Sequence, residues 1–140
     1  AGIDGVVLFN TAFQPDIDIE NMEIVGSSPT TDGNDYLESL RWTALMSGEV
    51  KMDVCSNTGI HNAQTAIKML LAGAKAFEVA SLPIKEGFGS ITRLNNDIKA
   101  WMEKHEYERI SDFCGKLAQE GNENGYKWER SQFLKIISRD

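Results

Sequence analysis

Apolar and polar positions alternate between two periods along this chain. Gly5–Asn10 (Gly-Val-Val-Leu-Phe-Asn) is a short continuous apolar run, the pattern of a strand covered on both faces. Thr11 to Gly33 is polar and punctuated by Pro15, Gly26, Pro29 and Gly33, with Ile17, Ile19 and Ile24-Val25 spaced for a small hairpin. A loop of this length inside a compact domain is usually functional. Asn34 to Ser47 reads as a helix with Leu37, Leu40, Trp42, Ala44 and Leu45 on its apolar stripe and Gly48 as its stop. Val50–Cys55 alternates as a strand, Val50, Met52 and Val54 on one face and Lys51, Asp53 and Cys55 on the other.

Asn62 is placed to cap a helix over Ala63 to Ala72, which Gly73 ends. Ala76–Ala80 reads as a third strand, with Glu78 on the face opposite Phe77 and Val79. Phe88 to Lys104 keeps helical spacing through Phe88, Ile91, Leu94, Ile98, Trp101 and Met102. A further helix is expected over Ile110 to Gln119, capped by Ser111. After the flexible Gly121–Gly125 link, a last one runs from Tyr126 to Ser138. The order is β-α-β-α-β-α with added helices, which predicts an α/β fold around a parallel sheet. The whole of 1–140 is one unit, a βαβαβα core over 1–120 and a tail helix over 121–140.

Composition narrows the function. A 41% hydrophobic, 25% charged chain of 140 residues can build one real core. Fourteen basic against 21 acidic side chains give a net charge of −7, which argues against general nucleic-acid binding. No apolar run is long enough to span a membrane, so a cytoplasmic protein is expected. Cys55 and Cys114 are far apart and match no metal spacing, and His61 and His105 are isolated, so two free, buried thiols in a reducing compartment and no metal site are expected.

The most specific chemistry lies at two turns. Ser56-Asn57-Thr58-Gly59-Ile60 follows the second strand and leads into the helix capped by Asn62; Ala80-Ser81 follows the third. Backbone N–H groups at such turns hold a phosphate cheaply, and small residues let the backbone approach. Two adjacent strand ends of this kind match the phosphate site between the last two strands of a TIM barrel. A βα turn with one glycine is equally well explained by turn geometry alone.

The stretch from Val54 to Ala74 resembles the C-terminal pattern of dihydroorotate dehydrogenases, with Ser56, Gly59, Ile60, Asn62, Ala66, Gly73 and Ala74 on it. The likeness continues through Ala80-Ser81, Glu86-Gly87, Trp101 to Glu108, Phe113 and Gly115-Lys116-Leu117. Upstream, Ala1 to Asn10 resembles the family's sixth strand. Asn10 to Glu20 and Trp128 to Ile137 look most like its divergent dihydroorotate dehydrogenase-like branch.

The resemblance implies the C-terminal part, strands six to eight, of an FMN-binding (β/α)₈ barrel. It assigns Thr58, Gly59, Ile60, Ala80 and Ser81 to the FMN phosphate and Asn10 to the substrate. The implied reaction is oxidation of (S)-dihydroorotate to orotate in pyrimidine biosynthesis. The family's catalytic Cys or Ser base and its flavin-contacting Lys belong to earlier strands, so no catalytic residue is expected in this chain, Cys55 included. Thr58 stands where the family has glycine. A β-branched residue is disfavoured at positive φ, so either this turn differs or the phosphate sits slightly away from it.

A full barrel needs roughly 250 residues, so the chain is expected to be an incomplete barrel that lacks an N-terminal portion and is inactive alone. Its open sheet would make a homodimer, pack against the missing half, or be covered by the terminal helices. Lys51, Asp53 and Glu78 would face the barrel interior and pair with one another or with charges on the missing strands. Two other readings stand beside the enzyme: a non-catalytic α/β fragment that binds phosphate or assembles, and another phosphate-binding barrel of the glutamate synthase type. The Trp101–Tyr107 stretch speaks against the latter.

Overall fold

The structure, a computed structural model, describes residues 2–10, 15–26 and 30–129. In chain order the elements are β1 (Gly5–Leu8), β2 (Pro15–Asp18), β3 (Glu23–Gly26), α1 (Tyr36–Glu49), β4 (Asp53–Ser56), α2 (Ala63–Leu71), β5 (Ala76–Phe77), α3 (Ser81–Glu86), α4 (Gly89–Lys104), a 3₁₀ turn (Ile110–Asp112) and α5 (Tyr126–Glu129). Strands β1, β4 and β5 form one parallel sheet in that order. The α/β class and the parallel sheet expected from the alternation are what the chain builds.

Helices cover one face of this sheet. Val54 and Ser56 of β4 point into them and are buried, while Asp53 on the opposite face is exposed and Cys55 half-buried. In register with Cys55, Val7 of β1 is 44% exposed. Among the described residues, the expected cover on both faces is therefore present on one only. The core lies on the helix side, where Ile60, Ala66, Ile67, Met69 and Ala74 meet Leu82, Leu94 and Ile98.

Helix α1 departs from its expected stripe. Ser39, Thr43 and Ala44 are its buried residues, whereas Leu37 and Trp42 are exposed. Hydrogen bonding explains the burial of the polar pair. Ser39 Oγ donates to the Leu8 carbonyl at 2.6 Å, and Thr43 Oγ1 and Ser56 Oγ share a bond of 2.7 Å. Short hydroxyl side chains let α1 lie close on β1 and β4. Gly48 also has a different role. It lies inside α1, where a Cβ would overlap the Glu120 side chain.

Helix α2 begins as its sequence dictates. The Asn62 side chain accepts from Thr65 N at 2.9 Å. Its end is capped from far along the chain. Leu117 N donates to Leu71 O at 2.8 Å, a carbonyl at the helix end, and Gly115 N adds a bond of 2.9 Å to Leu70 O, which also accepts from Gly73 N. Gln119 N donates to Ala44 O of α1 at 3.0 Å. These bonds draw residues 113–119 out of the expected helix, leaving a single 3₁₀ turn. Asp112, rather than Ser111, caps it by accepting from Glu108 N and Arg109 N.

The hairpin of β2 and β3 pairs Pro15 with Gly26 and Asp18 with Glu23. Asp18 accepts at its turn from Glu20 N, Asn21 N and Asn21 Nδ2, and the Asn21 side-chain bond foremost holds its carboxyl below the usual range. Phe88, expected on the α4 stripe, is exposed. The tail helix is described as far as Glu129; Arg130 to Ser138 lie outside the described residues.

Thr43→Val leaves the Ser56 hydroxyl buried without its partner. It should lower stability by about 1–3 kcal/mol, read from the urea midpoint, and Ser56→Ala in the same chain should recover part of the loss. An unmoved midpoint would show that the pair contributes nothing.

Candidate functional site

The parallel strands end together at one edge, where ligands of open α/β sheets bind. Asn57 to Ile60 leave β4 there, and Glu78 to Ser81 leave β5, joined by Glu78 N donating to Ser56 O at 2.9 Å. Phe9 and Asn10 leave β1 at the same edge. Thr58 Oγ1 donates to Phe9 O at 2.5 Å, which brings exposed Asn10 next to the β4 turn. All six residues singled out in the sequence thus lie along one rim.

Thr58 has φ +78° and Gly59 φ +69°. Of the two outcomes expected at Thr58, a turn that avoids positive φ is not what the chain builds. Two bonds hold the threonine there, its hydroxyl on Phe9 O and its amide on Asn57 Oδ1 at 2.6 Å. Strained backbone of this kind persists where the surroundings over-determine it. The turn therefore keeps its glycine-type path with a β-branched residue on it.

Gly59 is required by packing as well. A Cβ there would overlap Tyr36 N and lie 2.9 Å from Asp35 C, because the start of α1 rests on the turn. Loss of a ligand on adding a side chain at Gly59 would therefore report the fold as much as the site.

Ala80 and Ser81 do not form a bare turn. Ala80 is the N-cap and Ser81 the first residue of α3, a helix absent from the sequence reading because its six residues carry too little periodicity. No side chain caps it. The loop before α1 folds over this point. Thr31 N donates to Ser81 Oγ at 3.0 Å, Thr31 Oγ1 to Ser81 Oγ at 3.1 Å, and Thr31 Oγ1 shares a 2.9 Å bond with His61 Nε2. Lys85 Nζ donates to Thr31 O at 2.7 Å and lies 3.7 Å from Asp32. Spacing gave no sign of this convergence, which unites residues 31, 61, 81 and 85.

The donor set fits an anion such as phosphate. Among the described residues, the amides of Gly59, Ile60 and Ser81 donate to no acceptor. The Thr31 and Ser81 hydroxyls, the His61 ring and the Lys85 ammonium are joined to one another beside Ser81, with the Asp32 carboxylate next to Lys85. No set of three metal-ligating side chains occurs among the described residues.

On the open face of the sheet, Asn57 Nδ2 donates to Glu78 Oε2 at 3.1 Å. Glu78 was expected to pair with another charge, and its hydrogen-bond partner is this neutral carboxamide. Burial foremost, and then the Glu78 carboxylate, push the Cys55 thiol up from its ordinary value. Both cysteines are free but half-buried rather than buried.

The quinone-type dihydroorotate dehydrogenase of Nautilia profundicola is 30% identical over 117 residues, 82% of this chain and 32% of that protein. This chain is similar to part of a dihydroorotate dehydrogenase. A probable dihydroorotate dehydrogenase A (fumarate) of Streptococcus pneumoniae is 31% identical over 67 residues, 48% of this chain and 22% of its own length. The ligand-free dihydroorotate dehydrogenase of Eimeria tenella shares the fold, with a TM-score of 0.65 at 20% identity over 81% of this chain and 32% of that one. No family model matches. The chain spans about a third of the length of the first curated relative. These dihydroorotate dehydrogenases are oxidoreductases, and no helix among the described residues here is long and apolar enough to cross a membrane.

Cys55 should react with iodoacetamide at pH 8 more slowly than an unperturbed thiol, because a raised pKa leaves less thiolate. Glu78→Gln should speed it, by removing the nearby negative charge. Peptide mass spectrometry separates Cys55 from Cys114. A Cys55 rate indifferent to Glu78→Gln would rule out the electrostatic coupling.

Proposed function

We propose that this chain is the phosphate-holding part of a dihydroorotate dehydrogenase-type flavoenzyme, strands six to eight of a (β/α)₈ barrel. The observation that carries the reading is the rim where two strand-end turns present amides without acceptors. Gly59 and Ile60, with Thr58 shaping their turn, would hold the FMN phosphate from one side, and Ala80 and Ser81 from the other. Asn10, exposed at the end of β1, would hydrogen-bond the substrate's carbonyl or amide groups. Bound FMN supplies the electron acceptor for oxidation of dihydroorotate to orotate. The chain's own part is to bind, to orient and to fix charge.

The Thr31 loop adds closure to this reading. Hydrogen-bonded to Ser81 and His61, it would limit the access of water to the seat from that side. The bare face of the sheet, with Val7 and Asp53 on it, calls for more strands or a second copy. The described part of the C-terminal segment packs on α1 instead, through Arg41 Nε donating to Trp128 O at 2.9 Å.

A titration with FMN tests the first part. The 140-residue chain should bind it weakly, whereas a protein in which strands one to five precede this chain should hold it, appear yellow and oxidise dihydroorotate. A colourless, inactive completed barrel would sink the enzymatic reading. Sedimentation tests the second. The isolated chain should self-associate at micromolar concentration, and Val7→Lys should shift it toward monomer; a clean monomer from the start would show that the open face needs no partner.

A further inference from the structure

Helix α1 carries a second row of side chains beside the one that meets the sheet. Ser39 and Thr43 face β1 and β4, whereas Leu37, Arg41 and Gly48 lie at i, i+4 and i+11 and share an adjacent flank. The later chain runs along that flank. The Glu120 side chain lies against Gly48, and Gln119 N donates to Ala44 O at 3.0 Å. Further on, Arg41 Nε donates to Trp128 O at 2.9 Å and Arg41 Nη2 to Glu129 O at 3.4 Å. Between residues 119 and 129 the chain thus advances from the C-terminal end of α1 to its second turn. Leu37 is the next position on the flank in the direction of travel.

A groove of about 600 Å³ opens there. Leu37, Leu40, Leu117 and Trp128 give it apolar walls, with Glu38 and Lys127 beside them. Trp128 is fixed, its indole N–H donating to Leu117 O at 2.9 Å. Leu37 is 54% exposed and Leu117 49%. A contiguous apolar surface of this kind marks a place where something docks.

The sequence after Glu129 has the composition to fill it. Residues 130–140 include Phe133, Leu134, Ile136 and Ile137. Phe133, Leu134 and Ile137 keep the spacing that shares one helical face. Phe133 follows Glu129 by four residues, about 6 Å of helix, and Leu37 lies the same four residues from Arg41. Charge agrees as well. The segment has three basic residues, Arg130, Lys135 and Arg139, against the single acidic Asp140, in a chain of net charge −7. It is opposite in sign to the body it would lie on, and Glu38 lines the groove.

We propose that residues 130–140 of this chain are the occupant of the groove, lying antiparallel to α1 with Phe133, Leu134 and Ile137 against Leu37 and Leu40. A segment tethered at the groove's edge by Trp128 and Glu129 binds at high effective concentration, an advantage that a separate partner lacks. Seated there, it closes the first turns of α1 against residues 115–119.

Methyl NMR on the 140-residue chain tests this. The Phe133 ring and the Ile137 methyls should show NOEs to the methyls of Leu37 and Leu40. A mixture of labelled and unlabelled chains separates the segment from a second copy, because the same NOEs should be absent from its isotope-filtered spectrum. Phe133→Asp should remove them, shift the Leu37 methyl resonances and raise the fluorescence of the added apolar dye ANS several-fold over the wild type. The Leu117 amide, bonded to Leu71 O, should keep its protection from hydrogen exchange in that variant, which separates undocking from unfolding. No NOE between residues 130–137 and the groove in the wild type would overturn the proposal, as would NOEs that arise only between copies. ANS binding as strong in the wild type as in Phe133→Asp would do the same, by showing the groove open in the full chain.

Discussion

The bond between Thr43 Oγ1 and Ser56 Oγ fixes where α1 lies on the sheet. Two short hydroxyl side chains replace what would be a bulkier apolar contact, and α1 settles close to β4. Because α1 is held there, its first residue Tyr36 rests on Gly59, and that contact leaves no room for a Cβ. The loop before Tyr36 is then carried across to Ser81 and His61. The rim thus inherits its geometry from a buried polar contact in the helix-sheet layer below. Buried polar groups that are fully satisfied favour one arrangement over its neighbours, since any shift leaves a donor or acceptor unpaired.

Much of the architecture was legible because it is local. The apolar run at β1, the Asn62 cap, the hairpin and the α4 periodicity each depend on neighbours a few residues away. Failures came where distant groups decide. Ser39 and Thr43 look like surface residues until Leu8 O and Ser56 Oγ meet them. Gly48 looks like a stop until Glu120 packs against it. Residues 113–119 look helical until the ends of α1 and α2 claim their amides. The site was legible to a similar degree. Turn chemistry and family likeness singled out residues 10, 58–60, 80 and 81, which lie along one rim, whereas Thr31, His61 and Lys85 join that rim only through a loop whose path no periodicity records. Thr58 shows the limit of a local rule: the disfavour of β-branched residues for positive φ is real, and two hydrogen bonds override it.

The rim divides its labour between backbone and side chains. The turns contribute backbone amides without acceptors among the described residues. The bare face contributes the Asn57 and Glu78 side chains, and the neighbouring strand end contributes Asn10. Both sets are positioned by strands of only two to four residues, so their precision comes from register rather than from length.

The strap formed by residues 115–119 bears on how the chain reaches this state. It closes α2 through Leu70 and Leu71 and reaches α1 through Ala44, across sequence separations of 45 to 75 residues. Such contacts pay their loop-closure entropy before they reward it. During synthesis, α1 and α2 emerge long before the segment that completes them. The two helices therefore gain their final packing late, once residues 115–119 have been made.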